Sequence, residues 1–193
     1  CDNCSLIQLR HTAPQELLYS RFYWYRSGVT DIMRRALRDV SSQIESMIHL
    51  AVGDVVLDIG ANDGTLLETY AVDGLIKVGC EPADNLVDLL SEKTEYVMHD
   101  FWVHSSYEKH MKKWEISNNK AKVITAIGMF YDLEDPNQFI NDAAKALSED
   151  GIFVAQLMCL GSMLEKNDLG NICHEHIECY SLESLRYLFE NNG

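Results

Sequence analysis

The run Asp58-Ile-Gly60-Ala-Asn62-Asp63-Gly64 follows a β-branched stretch and precedes a helical one. Two glycines let the backbone bend sharply and let a ligand approach closely, and the helix that follows offers free N–H groups. Counting from Gly60, the second and third glycine positions of a dinucleotide fingerprint hold Asn62 and Thr65, which disfavours a nicotinamide oxidoreductase. No Gly-Lys-Ser/Thr follows, so the phosphate loop fails too. What remains is an acid, Asp58, beside a polar loop, a setting better suited to an ammonium than to a phosphate. Glu81 ends the next apolar run, about 20 residues beyond Gly60, where a carboxylate in a doubly wound fold accepts hydrogen bonds from two ribose hydroxyls. Asp100 follows a third such run, placed to meet the exocyclic amine of a base while Phe101 stacks on it. An ammonium, a ribose and an adenine together describe S-adenosylmethionine. Acids that merely cap loops explain each residue alone, but explain Asp58, the glycine loop and Glu81 in register less well.

A second cluster is Cys173-His174-Glu175-His176-Ile-Glu178-Cys179-Tyr180. If the segment is extended, His174 and His176 share one side and Glu175 takes the other. Histidine titrates near neutral pH and a carboxylate beside it can fix its tautomer, so the pattern suits acid/base work. Metal binding by Cys173, His174, His176 and Cys179 is weaker, since the spacing matches neither His-Glu-x-x-His nor paired CxxC knuckles. A polar corner bonded to loop carbonyls is the bland alternative; placement beside the cofactor mouth favours catalysis. Cys1-x-x-Cys4 supplies half of a tetrahedral zinc site, with no second CxxC to complete it. Tyr23, Trp24 and Tyr25 suit core packing, although a tyrosine across the cofactor mouth would orient a substrate hydroxyl. Arg21 and Arg26 are solvated arginines or partners for an anionic substrate.

These side chains need a frame that delivers them to one edge. From Thr30 to about Leu50, apolar residues at Met33, Leu37, Val40, Ile44, Met47 and Ile48 predict an amphipathic helix started by Thr30 or Asp31. Strands are predicted at 55–59, 76–81, 95–98, 123–127 and 152–155, and helices at 65–72, 85–92 and 105–115 between them. Asp135-Pro136 opens another helix, carboxylate at the N-cap and proline at the first turn, which should end at Glu149-Asp-Gly151. Ser181 caps a last helix that stops at Asn191-Asn-Gly193. This alternation predicts an α/β fold, a doubly wound, mostly parallel sheet covered on both faces, with ligands at the carboxyl ends of its strands.

Thirty acidic against 16 basic side chains give a net charge of −14, which argues against a nucleic-acid partner. No apolar run approaches membrane length and residues 1–30 lack a signal-peptide pattern, so the expected location is cytoplasmic, with no membrane partner. The six cysteines then read as thiols or metal ligands.

Taken together, Tyr-x-Tyr-Arg-Ser-Gly, Val-Leu-Asp-Ile-Gly-x-Asn-Asp-Gly-Thr-Leu-Leu, Gly-x-Glu-Pro, Met-Phe-Tyr-Asp-Leu-Glu-Asp-Pro and Cys-His-Glu-His resemble the class I S-adenosylmethionine-dependent C-methyltransferases of nucleotide-linked deoxysugars. The resemblance implies a Rossmann-like domain over 29–193, preceded at 1–28 by the remnant of a zinc-binding region and a substrate-lining segment. It implies zinc in a longer protein, with Cys1 and Cys4 as two ligands, and a chain cut at both ends with its last strands missing. It assigns His176 and Glu175 as base and supporting acid, with His174 and Tyr25 beside the sugar. The cofactor would rest on Asp58, Gly60, Asn62, Gly64, Glu81, Pro82, Asp100 and Phe101. The reaction expected is methyl transfer to a carbon of a keto-sugar nucleotide; the alternatives are a small-molecule O- or N-methyltransferase and a binding module that has lost its chemistry. Gln156-Leu-Met-Cys159, Cys173 and Cys179 depart from the family pattern.

Overall fold

The computed structural model describes residues 1–192; Gly193, the expected stop of the last helix, lies outside them. In chain order the elements are β1 (Ile7–Gln8), α1 (Gln15–Tyr19), α2 (Asp31–Met47), β2 (Val55–Ile59), α3 (Thr65–Thr69), β3 (Ile76–Cys80), α4 (Asp84–Ser91), β4 (Tyr96–Met98) and α5 (His104–Lys113). After these come β5 (Ala121–Ile127), α6 (Pro136–Ala146), β6 (Leu147–Gln156), α7 (Leu160–Lys166), β7 (Glu178–Cys179) and α8 (Leu182–Glu190). Single 3₁₀ turns occupy Ser27–Val29 and Phe130–Asp132.

Five strands form one sheet in the order β4-β3-β2-β5-β6, and every pairing is parallel. All five residues of β2 are buried, as a central strand covered on both faces requires. Successive side chains then serve opposite faces. Val55, Leu57 and Ile59 pack with Tyr107 and Met111 of α5, Phe139 and Ile140 of α6, and Leu185 and Phe189 of α8. Val56 packs with Leu37 and Ile44 of α2 and with Leu66 and Leu67 of α3. The chain winds outward from β2 to β4, then crosses back to lay β5 on the other side of β2. The strand order therefore reverses between β2 and β5, and a crevice opens at their carboxyl ends.

The helix starts follow the sequence. Thr30 accepts a hydrogen bond from the Met33 amide, and Asp135 caps α6 through the Gln138 amide with Pro136 inside the first turn. Ser181 and Ser184 form a reciprocal cap on α8. Two helix ends differ most from expectation. α3 ends at Thr69, because Tyr70 turns to extended backbone. α6 ends at Ala146 instead of running to Gly151, because Leu147 already pairs with Ala121 of β5. Residues 148–151 bulge before Ile152 pairs with Val123, and at Gly151 a Cβ would lie 3.0 Å from the Ala121 carbonyl oxygen. The short antiparallel pair β1–β7 and the helices α1 and α7 have no counterpart in the sequence reading. Among the described residues no helix is long and apolar enough to cross a membrane.

Candidate active site

A cavity of about 440 Å³ opens at the carboxyl ends of the strands. Asp58, Gly60 and Asn62 reach it from β2, Cys80, Glu81 and Pro82 from β3, and Asp100 and Phe101 from β4. Gly128, Tyr131 and Asp132 come from β5, Gln156 from β6 and His176 from the turn before β7. Gln15, Tyr19, Tyr23, Tyr25 and Ser27 close it from the amino-terminal segment. That volume is within the range of small-molecule sites.

Glu81 is fixed from two sides. Its Oε2 accepts the Asn62 amide at 2.8 Å and its Oε1 accepts the Ala83 amide at 2.9 Å. Each oxygen keeps a second lone pair for a ligand hydroxyl. Burial pushes this carboxyl above its ordinary range, against the pull of those two amides. Asp58, fully desolvated, is held by the Thr125 hydroxyl at 2.6 Å. Burial raises it to about 7, with the Thr125 bond opposing the rise. Asp100 is held by the Ser106 hydroxyl at 2.9 Å. Gly60 lies in the left-handed region at φ +73°, and a Cβ there would meet Met129 at 3.0 Å, so the close turn requires glycine.

Asn62, also left-handed at φ 52°, has its amide group engaged elsewhere. Its Oδ1 accepts the Ser27 N–H at 2.9 Å and its Nδ2 donates to the Tyr25 carbonyl at 3.0 Å. Asp63 accepts the Gly28 N–H at 2.8 Å, and Asn85 exchanges two bonds with the Tyr23 backbone. Residues 23–28 thereby form a strap tied across the glycine loop. Trp24 does not pack in the core; it is 87% exposed and stacks edge-on against Phe22. Gly64 does not reach the cavity: its left-handed φ of +75° and close approach to Leu90 and Lys93 make it a packing residue.

The His-Glu-His segment is a turn and not an extended strand, so the expected alternation of its side chains does not hold. His176 alone of the three lines the cavity. Its Nδ1 lies 2.8 Å from the Asn171 carbonyl, and its ring meets Tyr131 edge-on at 4.7 Å between centroids. A carbonyl only accepts, so Nδ1 is a donor, and the tautomer this selects carries its lone pair on Nε2. His174 and Glu175 face each other at 3.8 Å with side chains 67% and 41% exposed. The ring is therefore oriented by Asn171, a role expected of Glu175. Cys1 and Cys4 are free thiols. Among the described residues no three His, Cys, Asp or Glu side chains converge on one metal position, and two thiols alone do not fit zinc.

Tyr19, Tyr131 and Asp132 were not singled out by the sequence, whereas Tyr23, expected in the core, lines the cavity. Asp132 stood in view within Phe-Tyr-Asp-Leu-Glu-Asp-Pro, and its signal was an acid in the loop that follows a predicted strand.

A protein-family model described as a methyltransferase domain matches residues 29–193. The chain belongs to this methyltransferase family. Its domain is of the class I type, as the parallel sheet and its strand-end cavity require. The chain is 28% identical over 194 residues to the C-methyltransferase NovU of Streptomyces niveus, covering 100% of this chain and 45% of that protein. It thus spans less than half of that relative's length. Similar solved structures include magnesium protoporphyrin IX methyltransferase of Synechocystis PCC 6803 with bound SAH (TM-score 0.59, 13% identity, 88% of this chain and 80% of that one). Mycolic acid cyclopropane synthase CmaA1 with SAH and CTAB matches at a TM-score of 0.59 and 17% identity, over 94% and 68% of the two chains. A possible histamine N-methyltransferase of Thermotoga maritima matches at 0.56 and 15%, over 83% and 72%. At these identities the methyltransferase likeness is one of fold.

Proposed function

We propose that this domain binds S-adenosylmethionine and moves its methyl group to a carbon of a nucleotide-linked keto-sugar. The observation that carries the reading is one cavity holding Glu81 and Asp100 toward one set of strands and His176 toward the other. Glu81 would take the ribose hydroxyls, Asp100 and Phe101 the adenine, and Asp58 with the turn at Gly60 the amino-acid end. When bound, the cofactor supplies an electrophilic methyl on a sulfonium. The chain's own task is to make a carbon nucleophile and hold it in place. A keto group acidifies the neighbouring C–H, and His176 Nε2 takes that proton while Asn171 holds Nδ1–H. Alignment of carbon and methyl in a closed site is worth ~7 kcal/mol or more in well-oriented pairs. Residues 1–28 form the acceptor side in this reading, with Tyr25 at the mouth and the exposed Arg21 and Arg26 outside it to receive a nucleotide's phosphates. The C-methyltransferase name of the relative with 28% identity supports carbon as the acceptor atom.

His176→Ala is expected to leave calorimetric S-adenosylmethionine binding unchanged while lowering methyl transfer by about 10²–10⁴-fold. Transfer at the wild-type rate by that variant would remove His176 from the reaction.

A further inference from the structure

The cavity holds an acid that the reading above leaves unused. Asp132 is 7% exposed, and its Oδ1 has no hydrogen-bond partner among the described residues. The 3₁₀ turn that carries it is anchored by Phe130, fully buried between Phe139, Tyr180 and Phe189. Gln15 clamps the same turn by donating to the Asp132 carbonyl at 2.9 Å. A buried carboxyl oxygen without a partner is costly, and the same residue is one of those that line the cavity.

The surroundings set its protonation state. Of the residues lining the cavity, Asp58, Glu81, Asp100 and Asp132 are acids and none is Lys or Arg. Around Asp132 stand Tyr19 and Tyr23 from the amino-terminal segment, Tyr131 beside it and Glu175 from the turn before β7. Burial, with no Lys or Arg in the lining, favours the protonated form of Asp132. A protonated carboxyl donates.

We propose that Asp132 is a catalytic hydrogen-bond donor, aimed at the carbonyl oxygen of the methyl acceptor and opposite in role to His176. This rests on the keto-acceptor reading and deepens it. As His176 takes the α-proton, the C–H electron pair becomes the carbon–carbon π bond and the carbonyl π pair moves onto oxygen. The Asp132 proton meets that oxygen and stays on the carboxyl, so the step balances within the acceptor and the two side chains. Burial, with Glu175 adding and the Tyr19 hydroxyl opposing, raises Asp132 to about 8. The donor is therefore present below that pH and lost above it.

The test is solvent deuterium exchange at the α-carbon of a nucleoside-diphosphate-linked keto-deoxyhexose, with S-adenosylhomocysteine in place of the methyl donor. Asp132→Leu is expected to slow exchange by about 10²–10³-fold, the loss typical of one oxyanion donor, with S-adenosylhomocysteine affinity unchanged. Asp132→Asn keeps a donor that does not titrate, so it should exchange well and lose the fall in rate above about pH 8. Wild-type exchange that survives in Asp132→Leu overturns the proposal and leaves the keto-acceptor reading standing. A wild type that binds S-adenosylhomocysteine and exchanges nothing overturns both. Should the leucine variant not fold, the asparagine variant decides, and an alkaline fall like that of the wild type would count against Asp132.

Discussion

Glu81 has both oxygens committed to backbone amides of neighbouring loops, so its carboxylate is held in place before any ligand arrives. Two further hydrogen bonds to a charged acceptor contribute roughly 1.5–3 kcal/mol each. Glu81→Ala is accordingly predicted to weaken S-adenosylmethionine binding by at least ~10²-fold in calorimetry; equal affinity would mean that the ribose lies elsewhere. Glu81 and Asp58 were legible in the sequence because they stand at the ends of two successive apolar runs, in register with the glycine loop between them. Asp132 lies five residues beyond the end of its strand and three before the obvious helix cap Asp135, and was absorbed into that signal. The orienting partner of His176 was not legible at all. It is a backbone carbonyl, and no side-chain pattern announces one.

At the scale of elements, the glycine loop does two jobs. Its backbone turns at Gly60 to leave room at the cavity, while the Asn62 and Asp63 side chains tie down residues 23–28. Asn62→Ala removes both of its bonds to the strap. Loss of two such bonds costs about 1–3 kcal/mol locally, so amide exchange should accelerate across 23–28 while β2 and β5 keep their protection. Uniform acceleration through the sheet would show that the strap is not a separate unit. Strands and long helices were legible from periodicity, down to the caps at Thr30, Asp135 and Ser181. The strap was not, because its order comes from long-range side-chain-to-backbone bonds that leave no period. The turn at 171–177 is similar: His-Glu-His suggests alternation, and the closed turn bonded at Asn171 sends only His176 inward.

Across the whole molecule, Asp58 and Glu178 are raised to about 7 and Asp132 to about 8, each chiefly by burial. The unfolded chain sheds these protons near pH 4, while the folded chain keeps them until 7–8, so folding takes up protons in between. Stability of the ligand-free protein should therefore fall as pH rises from about 5 to about 8, and Asp58→Asn should flatten that fall. A midpoint of thermal unfolding that rises with pH over this window would contradict the burial of these acids. In the proposed function, the doubly wound order, the crevice between β2 and β5 and the cavity that joins Glu81 to His176 serve one outcome, delivery of a methyl group to an activated carbon. The most direct test incubates the protein with methyl-¹³C S-adenosylmethionine and a nucleoside-diphosphate-linked keto-deoxyhexose, then locates the label by NMR. A ¹³C-methyl bonded to a ring carbon next to the former keto group is the predicted result; a label on oxygen or nitrogen, or no transfer by folded protein that binds the cofactor, would contradict it.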